Sequence, residues 1–549
     1  MLCWAGGLGL PPISSSPETE RRPPPPPTNL DFPAYHLLDV PDDASDESLK
    51  DVYGLLASIR RPQDISKDKL RALNLRLEKD IPAERIVPQV TPDIFPPLPW
   101  GDHPLNETED GEPILMDNGN PYPAVSRFGI LKKELLLDND DAFREVARLP
   151  PQDGRERVRV THTRKFWTGL ERMAQWWDPS LDNYFERPAS PQSSDEDKML
   201  ADGEVQPSDH SPPATPMDVD KSPPTQAISG TTPVAEEGQA NVKRYTGRRI
   251  GTGRDMPEEI RDETVRALAE MAAWPFGCQI ALPMFPPRLA IKTLLLPIRH
   301  SFQVARSPKD RQLARCGVME GPLFVAQCRS ETSFRESGDA PGSGMGEICD
   351  LHRELGAMLL AAQERARQGA TEVRSGEGKW WATKPRWGGS TPKAEESGDG
   401  EGELALENGN DRKRSKYEHP FVASRRPGAG RRLSNVERWR IVQPGPSLWD
   451  RRMRYIQIGK APDSPFDDVY MLSSINHHVS ILHLRIHRRY LEILSTGESD
   501  FPPDTDTPDQ PWYILKLRRT RWYDLFEPQQ RLEIFQGVWT MFHYLLRKM

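Results

Sequence analysis

The chain has 549 residues, 36% of them hydrophobic, 55 prolines and a formal net charge of −8. That length allows about two to four domains, and a proline share about twice the usual one points to extended stretches between them. The modest negative charge excludes a surface that binds nucleic acid throughout, while leaving room for a local basic patch.

Cys3, Cys278, Cys316, Cys328 and Cys349 include no CxxC pair. They fit neither a disulfide framework nor a cysteine zinc site, and a reducing compartment is expected. The opening MLCWAGGLGLPPISSS lacks a positive n-region and is cut by Pro11-Pro12, unlike a secretory signal. The longest apolar run, Ala290–Ile298, is interrupted by Lys292 and Pro297 and is too short to span a bilayer. The expectation is a soluble intracellular protein with no membrane partner.

Residues 1–30 form a proline-rich start ending in a polyproline II stretch. A first block, 31–186, opens on helical spacing at Leu49, Val52, Tyr53, Leu56 and Ile59, and again over 66–79 through Leu70, Leu73 and Leu77. It closes on a helix over 163–177 with an aromatic stripe of Phe166, Trp167 and Trp177. Residues 187–242 are acidic and rich in Ser and Pro, and too poor in core-forming groups to offset chain entropy.

The second block, 243–387, predicts an Asp255-capped helix lined by Ile260, Thr264, Leu268 and Met271. A start signal at Ser307-Pro308, a buried strand over 322–329 and an amphipathic helix over 347–368 follow. Residues 388–432 form a second core-poor tract, read as a linker or as a loop inserted in a domain. The last block, 433–549, shows strand character over 448–458 and a long helix over 467–494 with Leu472, Ile475, Val479, Leu482, Ile486 and Tyr490 on one stripe. A final helix starts at Asp524-x-x-Glu527-Pro528. The predicted fold is mainly α with a few strands, and the middle and C-terminal blocks are short enough of strands to share one core.

His483 and His487 stand at i, i+4, one to two turns beyond His477 and His478, a spacing that can serve one metal. The supposed helix lacks an HExxH glutamate, and Arg485, Arg488 and Arg489 surround the pair with positive charge. A face that packs or pairs with acids is the preferred reading, so no metal and no cofactor is assigned. Gly342–Glu347 leads into a helix as phosphate loops do, but it lacks their Lys-Ser/Thr and reads as a hinge. No catalytic residue is assigned, because no nucleophile elbow or cysteine motif is present.

Basic residues interleave with aromatics at Arg164, Lys165 and Trp167, at Trp380 and Trp381, and at Lys516, Arg518, Arg519 and Arg521 beside Trp522. These can contact nucleic acid or an acidic partner, including acidic tracts of the same chain. Arg412, Lys413, Arg414 and Lys416 form a concentrated basic run of the type read by nuclear import receptors. Ser190, Ser211, Thr215 and Ser222 precede prolines, Ser193 and Ser194 precede acids, and Ser434 follows Arg431-Arg432. All seven suit kinases, and each phosphate adds about two negative charges.

The stretches THTRKFWTGLERMAQWWDPSLDNYFE and DDVYMLSSINHHVSILHLRIHRRYLEIL resemble uncharacterised proteins of filamentous ascomycete fungi. That resemblance implies an origin and carries no defined activity. The functional expectation is a nuclear regulatory or scaffold protein, a non-catalytic subunit of a transcription or chromatin assembly that binds other proteins through tryptophan-rich blocks. Its alternatives are a nucleic-acid-associated factor, an enzyme whose site is assembled from the second and third blocks, and a cytoplasmic location.

Overall fold

A computed structural model describes residues 25–35, 49, 52–59, 61, 64–88, 95–101, 113–182, 247–282, 287–292, 294–315, 317–370, 453–502 and 510–549. The chain divides into a smaller unit, residues 1–28 with 172–256, and a larger one, residues 29–171 with 257–549.

In the smaller unit, the end of helix α5 (Arg164–Trp177) presents Trp176 and Trp177 to an irregular segment that carries Gly251 and Gly253. A Cβ at Gly253 would sit 2.4 Å from the Trp177 ring, so glycine is required by contact there. Arg249, fully buried, donates from Nε to the Asp182 carboxylate at 2.6 Å and from Nη2 to the Pro25 carbonyl at 2.9 Å.

The larger unit is built on a nine-stranded mixed sheet, and the architecture is α/β. In chain order it contains α1 (Val52–Ala57), α2 (Lys67–Arg71), β1 (Leu75–Ile81), α3 (Val125–Leu135), α4 (Asn139–Val146) and the start of α5. Next come α6 (Glu258–Ala273), β2 (Cys278–Ala281), the hairpin β3 (Arg288–Ile291) and β4 (Leu294–Pro297), β5 (Phe302–Arg306) and α7 (Arg311–Arg315). Then follow β6 (Val318–Arg329), α8 (Met345–Ala366), β7 (Arg454–Ile456), β8 (Phe466–Ile475), β9 (His478–His487), α9 (Arg488–Thr496), β10 (Leu515–Thr520), β11 (Tyr523–Asp524) and α10 (Pro528–Leu545). The sheet order is β1-β10-β9-β8-β6-β5-β2, with β11 added on β9 and β7 on β6. Strand β6 runs parallel to β8, and α8 is the crossover between them.

This corrects the expectation of a mainly α protein: among the described residues helix takes 38% and strand 21%. The largest error is the helix expected over 467–494, which is the hairpin β8–β9 followed by α9. Its two strands pair from Phe466↔His487 to Ile475↔His478 and turn through Asn476-His477, with Asn476 at φ 52°. Both faces are covered. Val469, Met471, Leu482 and Leu484 join the core cluster with α8 and α9, while Ile481 meets α10 at Gly537 and Tyr470 meets Tyr544. A strand buried on both faces shows no alternation, so its apolar run satisfies helical spacing as well. The helix expected over 66–79 fails for a local reason. Asn74 takes φ 50° and ends the α2 region, and Leu75–Glu78 then pairs parallel with Leu515–Arg518.

Helices α5, α6, α8 and α10 and strand β6 stand where spacing placed them. Gly342–Glu347 is a packed helix start: a Cβ at Gly346 would lie 2.5 Å from the Phe334 carbonyl oxygen. Glu347 there accepts from the Gly344 and Ala34 N–H groups. No helix among the described residues is long and apolar enough to cross a membrane.

Candidate functional site

Two charged centres of the larger unit are candidates. The first lies at the carboxyl ends of β6, β8 and β10, where open α/β sheets commonly place their chemistry. Arg329 ends β6 and donates to both Asp350 oxygens at 2.9 Å and to Glu354 Oε1 at 2.7 Å. Arg519 of β10 donates to Glu354 Oε2 at 2.6 Å and Oε1 at 3.2 Å, and Ser473 of β8 donates to Glu354 at 2.6 Å. The Tyr35 hydroxyl donates to Asp350 at 3.1 Å, and the Arg519 guanidinium lies over the rings of Tyr35 and Trp522.

Side-chain exposure is 3% or less for Arg329, Asp350, Glu354 and Arg519. Burial opposes ionisation of Glu354, yet the guanidiniums of Arg519 and Arg329 hold its carboxyl down to about 2. At Asp350 burial outweighs Arg329 and, with Glu354 beside it, lifts the carboxyl above its ordinary range. The cluster is closed and internally paired, an arrangement that fixes three strand ends to α8.

The second centre is an open cavity of about 700 Å³ between the start of β8, the end of α8 and α9. Ala290, Ala366, Pro465, Ile486 and Leu491 give it apolar walls, and Lys292, Arg367, Lys460 and Arg488 give it cations. Both acids lining it are already engaged. Asp467 accepts a fork from buried Arg365 at 2.8 and 2.9 Å, and Glu492 accepts from Arg488 at 2.7 Å and Ser499 at 2.5 Å. Among the described residues no ion pair neutralises Lys292, Arg367 or Lys460. Burial pulls the Lys460 ammonium below its ordinary range. The surplus is positive, and it faces a volume large enough for a peptide segment or small anion.

The basic and aromatic residues singled out in the sequence are dispersed. Trp167 is fully buried, donates to the Glu134 carbonyl at 3.1 Å and carries the Arg531 guanidinium over its ring. Lys165 pairs with Glu270 at 2.6 Å, and Arg164 donates to the Val146 carbonyl at 3.2 Å. Arg518 pairs with Glu78 at 3.3 Å, Arg521 pairs with Glu533, and Arg519 belongs to the buried cluster. Lys516 is half-buried between Arg76 and Arg485 across the sheet.

Trp380, Trp381, the basic run Arg412, Lys413, Arg414 and Lys416, and Ser190, Ser193, Ser194, Ser211, Thr215, Ser222 and Ser434 fall outside the described residues. His483 and His487 do not converge. His483 Nε2 donates to the Asp468 carboxylate at 2.8 Å, whereas His487 accepts from the Arg489 N–H at the start of α9.

Sequence reasoning missed the cavity because its cations come from separate elements: the β3–β4 turn, the end of α8, the segment before β8 and α9. No local pattern announces such a set. The buried cluster did leave a signal, in that Asp350 and Glu354 stand at i, i+4 on the apolar face of a well-defined helix. Comparison with protein-family models, curated proteins and solved structures finds no match to this chain.

Proposed function

We propose that this chain is a binding subunit of a nuclear regulatory assembly, and that its 700 Å³ cavity receives an acidic peptide segment of a protein partner. The observation that carries this reading is the cavity's uncompensated charge. Its acids are committed to Arg365 and Arg488, whereas Lys292, Arg367 and Lys460 line it, beside apolar walls, without an acidic partner among the described residues. An acidic segment with one or two apolar side chains complements both features, and electrostatic steering would speed its arrival.

The nuclear part of the proposal rests on the run Arg412-Lys413-Arg414 with Lys416. The intramolecular pairs of Lys165, Arg518, Arg519 and Arg521 favour protein binding over nucleic-acid binding, because these cations already have acidic partners in their own chain.

Affinity purification of the full chain beside a Lys292→Glu/Lys460→Glu variant tests the reading. The wild type should recover nuclear proteins bearing acidic segments, and the double variant should lose them. Equal recovery by both would remove the cavity from the argument. A Lys413→Ala/Arg414→Ala/Lys416→Ala fusion that still accumulates in nuclei would remove the import signal.

A further inference from the structure

We propose that His477, His478 and Asp524 form a binding site for a divalent transition metal of the zinc class, with a coordination position left open. One ligand atom from each of these three residues lies within 4.8 Å of the others. His477 Nε2 stands 3.9 Å from Asp524 Oδ1, and His478 Nε2 stands 3.8 Å from Asp524 Oδ2. Those separations are too long for hydrogen bonds, which run to about 3.2 Å. They lie a few tenths of an ångström beyond the span of about 3.4 Å that two ligands keep on one tetrahedral ion with bonds of about 2.0–2.2 Å. The widest pair, at 4.8 Å, must close by about 1.4 Å to share one tetrahedral ion, a movement that rotation of the imidazole and carboxylate side chains can supply.

The backbone holds the three residues together. Asn476 and His477 form the turn between β8 and β9, and the Asn476 side chain and N–H bind the Glu331 and Arg329 carbonyls. Asp524 sits opposite His478 in the β9–β11 pairing, and the Leu525 N–H donates to the His477 carbonyl at 3.0 Å. The Asp524 N–H is held by Gln530, and Asp524 Oδ1 accepts from the Phe526 N–H at 2.8 Å. A ligand set fixed before the ion arrives loses little entropy on binding.

The chemistry of the donors agrees. One carboxylate partly offsets a divalent charge, and two nitrogens with one oxygen suit zinc and its neighbours better than calcium or magnesium. Phe32 packs on His478 and Phe526 on His477, forming an aromatic collar. Side-chain exposures of 10%, 17% and 24% for His477, His478 and Asp524 leave one side accessible.

The cations that argue against a metal on a helix are distant on a strand. At about 3.3 Å per residue, Arg485 lies about 23 Å from His478 and the far end of β9 about 30 Å.

The test uses the full chain stripped of metal and titrated with Zn²⁺ or Co²⁺ alone. The expected result is one tightly held equivalent, and a cobalt form with the visible bands of a low-coordinate site. His478→Ala and Asp524→Asn should each weaken uptake by at least about tenfold, whereas His162→Ala, at an exposed turn, should not change it. Failure of the folded wild type to take up metal would overturn the site, as would wild-type affinity in both ligand variants. Should a variant fail to fold, wild-type protein mapped with a histidine-modifying reagent still decides the matter. Metal should shield His477 and His478, and shielding only of other histidines would overturn the assignment.

Discussion

The buried cluster of Arg329, Asp350, Glu354 and Arg519 and the cavity rim of Lys292, Arg367 and Lys460 use the same kinds of side chain and end in opposite states. In the cluster each cation meets a carboxylate at hydrogen-bond distance and the side chains are almost closed to solvent. At the rim the neighbouring acids are already held by Arg365 and Arg488, so the remaining cations have no acidic partner among the described residues. Convergence of titratable groups is thus no mark of function by itself. What separates the two regions is balance: one neutralises itself and locks strands together, and the other retains charge for an outside partner.

Breaking the balance of the cluster should give the largest effect. Glu354→Gln keeps the shape but leaves Arg519 and Arg329 sharing one remaining acid, Asp350, in a site almost closed to solvent. Removing one partner of a buried ion pair costs about 3–5 kcal/mol. Urea unfolding followed by far-ultraviolet circular dichroism should show that loss. A loss below about 1 kcal/mol would mean that the cluster tolerates imbalance and that the contrast with the rim is weaker than drawn.

How much of this contrast could be read from the chain depends on how local each element is. Helix α8 was legible because Leu351, Leu355 and Leu359 repeat at helical spacing over 22 residues, and it carries both acids of the cluster. The basic half was not legible, because Arg329, Ser473 and Arg519 meet only through strand pairing between distant segments. The same non-locality hid β8–β9. Burial of both faces erased the alternation, and Asn476 at positive φ was the single local sign of a turn. That one misassignment also placed His477 and His478 on a helix among arginines, when they sit at a strand turn facing Asp524. Asn74 had the same part in hiding β1.

A middle-sized effect sharpens the comparison from another side, at a carboxylate satisfied by hydrogen bonds instead of by arginines. Glu134, in the last turn of α3, accepts from the hydroxyls of Thr161 and Thr163 and from the N–H groups of Thr161, His162 and Thr163, just before α5. Burial opposes ionisation, but these donors prevail and hold the carboxyl down to about 2. Its ordinary value is 4.5, so the stabilisation is present above pH 4.5 and is lost as pH falls toward 2. Glu134→Gln should cost about 2 kcal/mol at pH 7 and flatten the acid limb of the stability curve. An unchanged limb would assign acid lability elsewhere, to carboxylates such as Glu354.

The smallest effect on stability should come from the rim, and there the smallness is the point. Lys292→Glu and Lys460→Glu remove no ion pair, though the first gives up a contact with the Tyr53 ring, so each should change unfolding free energy by no more than about 1 kcal/mol. Binding should respond far more. The chain's own acidic run from Glu395 to Glu407 supplies a ready probe, EESGDGEGELALE, as a labelled peptide. Fluorescence anisotropy should show it bound by the wild type, weakened roughly tenfold by either reversal, and weakened for both by salt, since partly exposed charges are screened within about 8 Å at physiological ionic strength. Stability unchanged with binding lost would confirm that the rim, unlike the cluster, holds its charge for a ligand. Stability lost with binding would show that Lys292 and Lys460 do structural work after all, and the two regions would then differ in exposure alone.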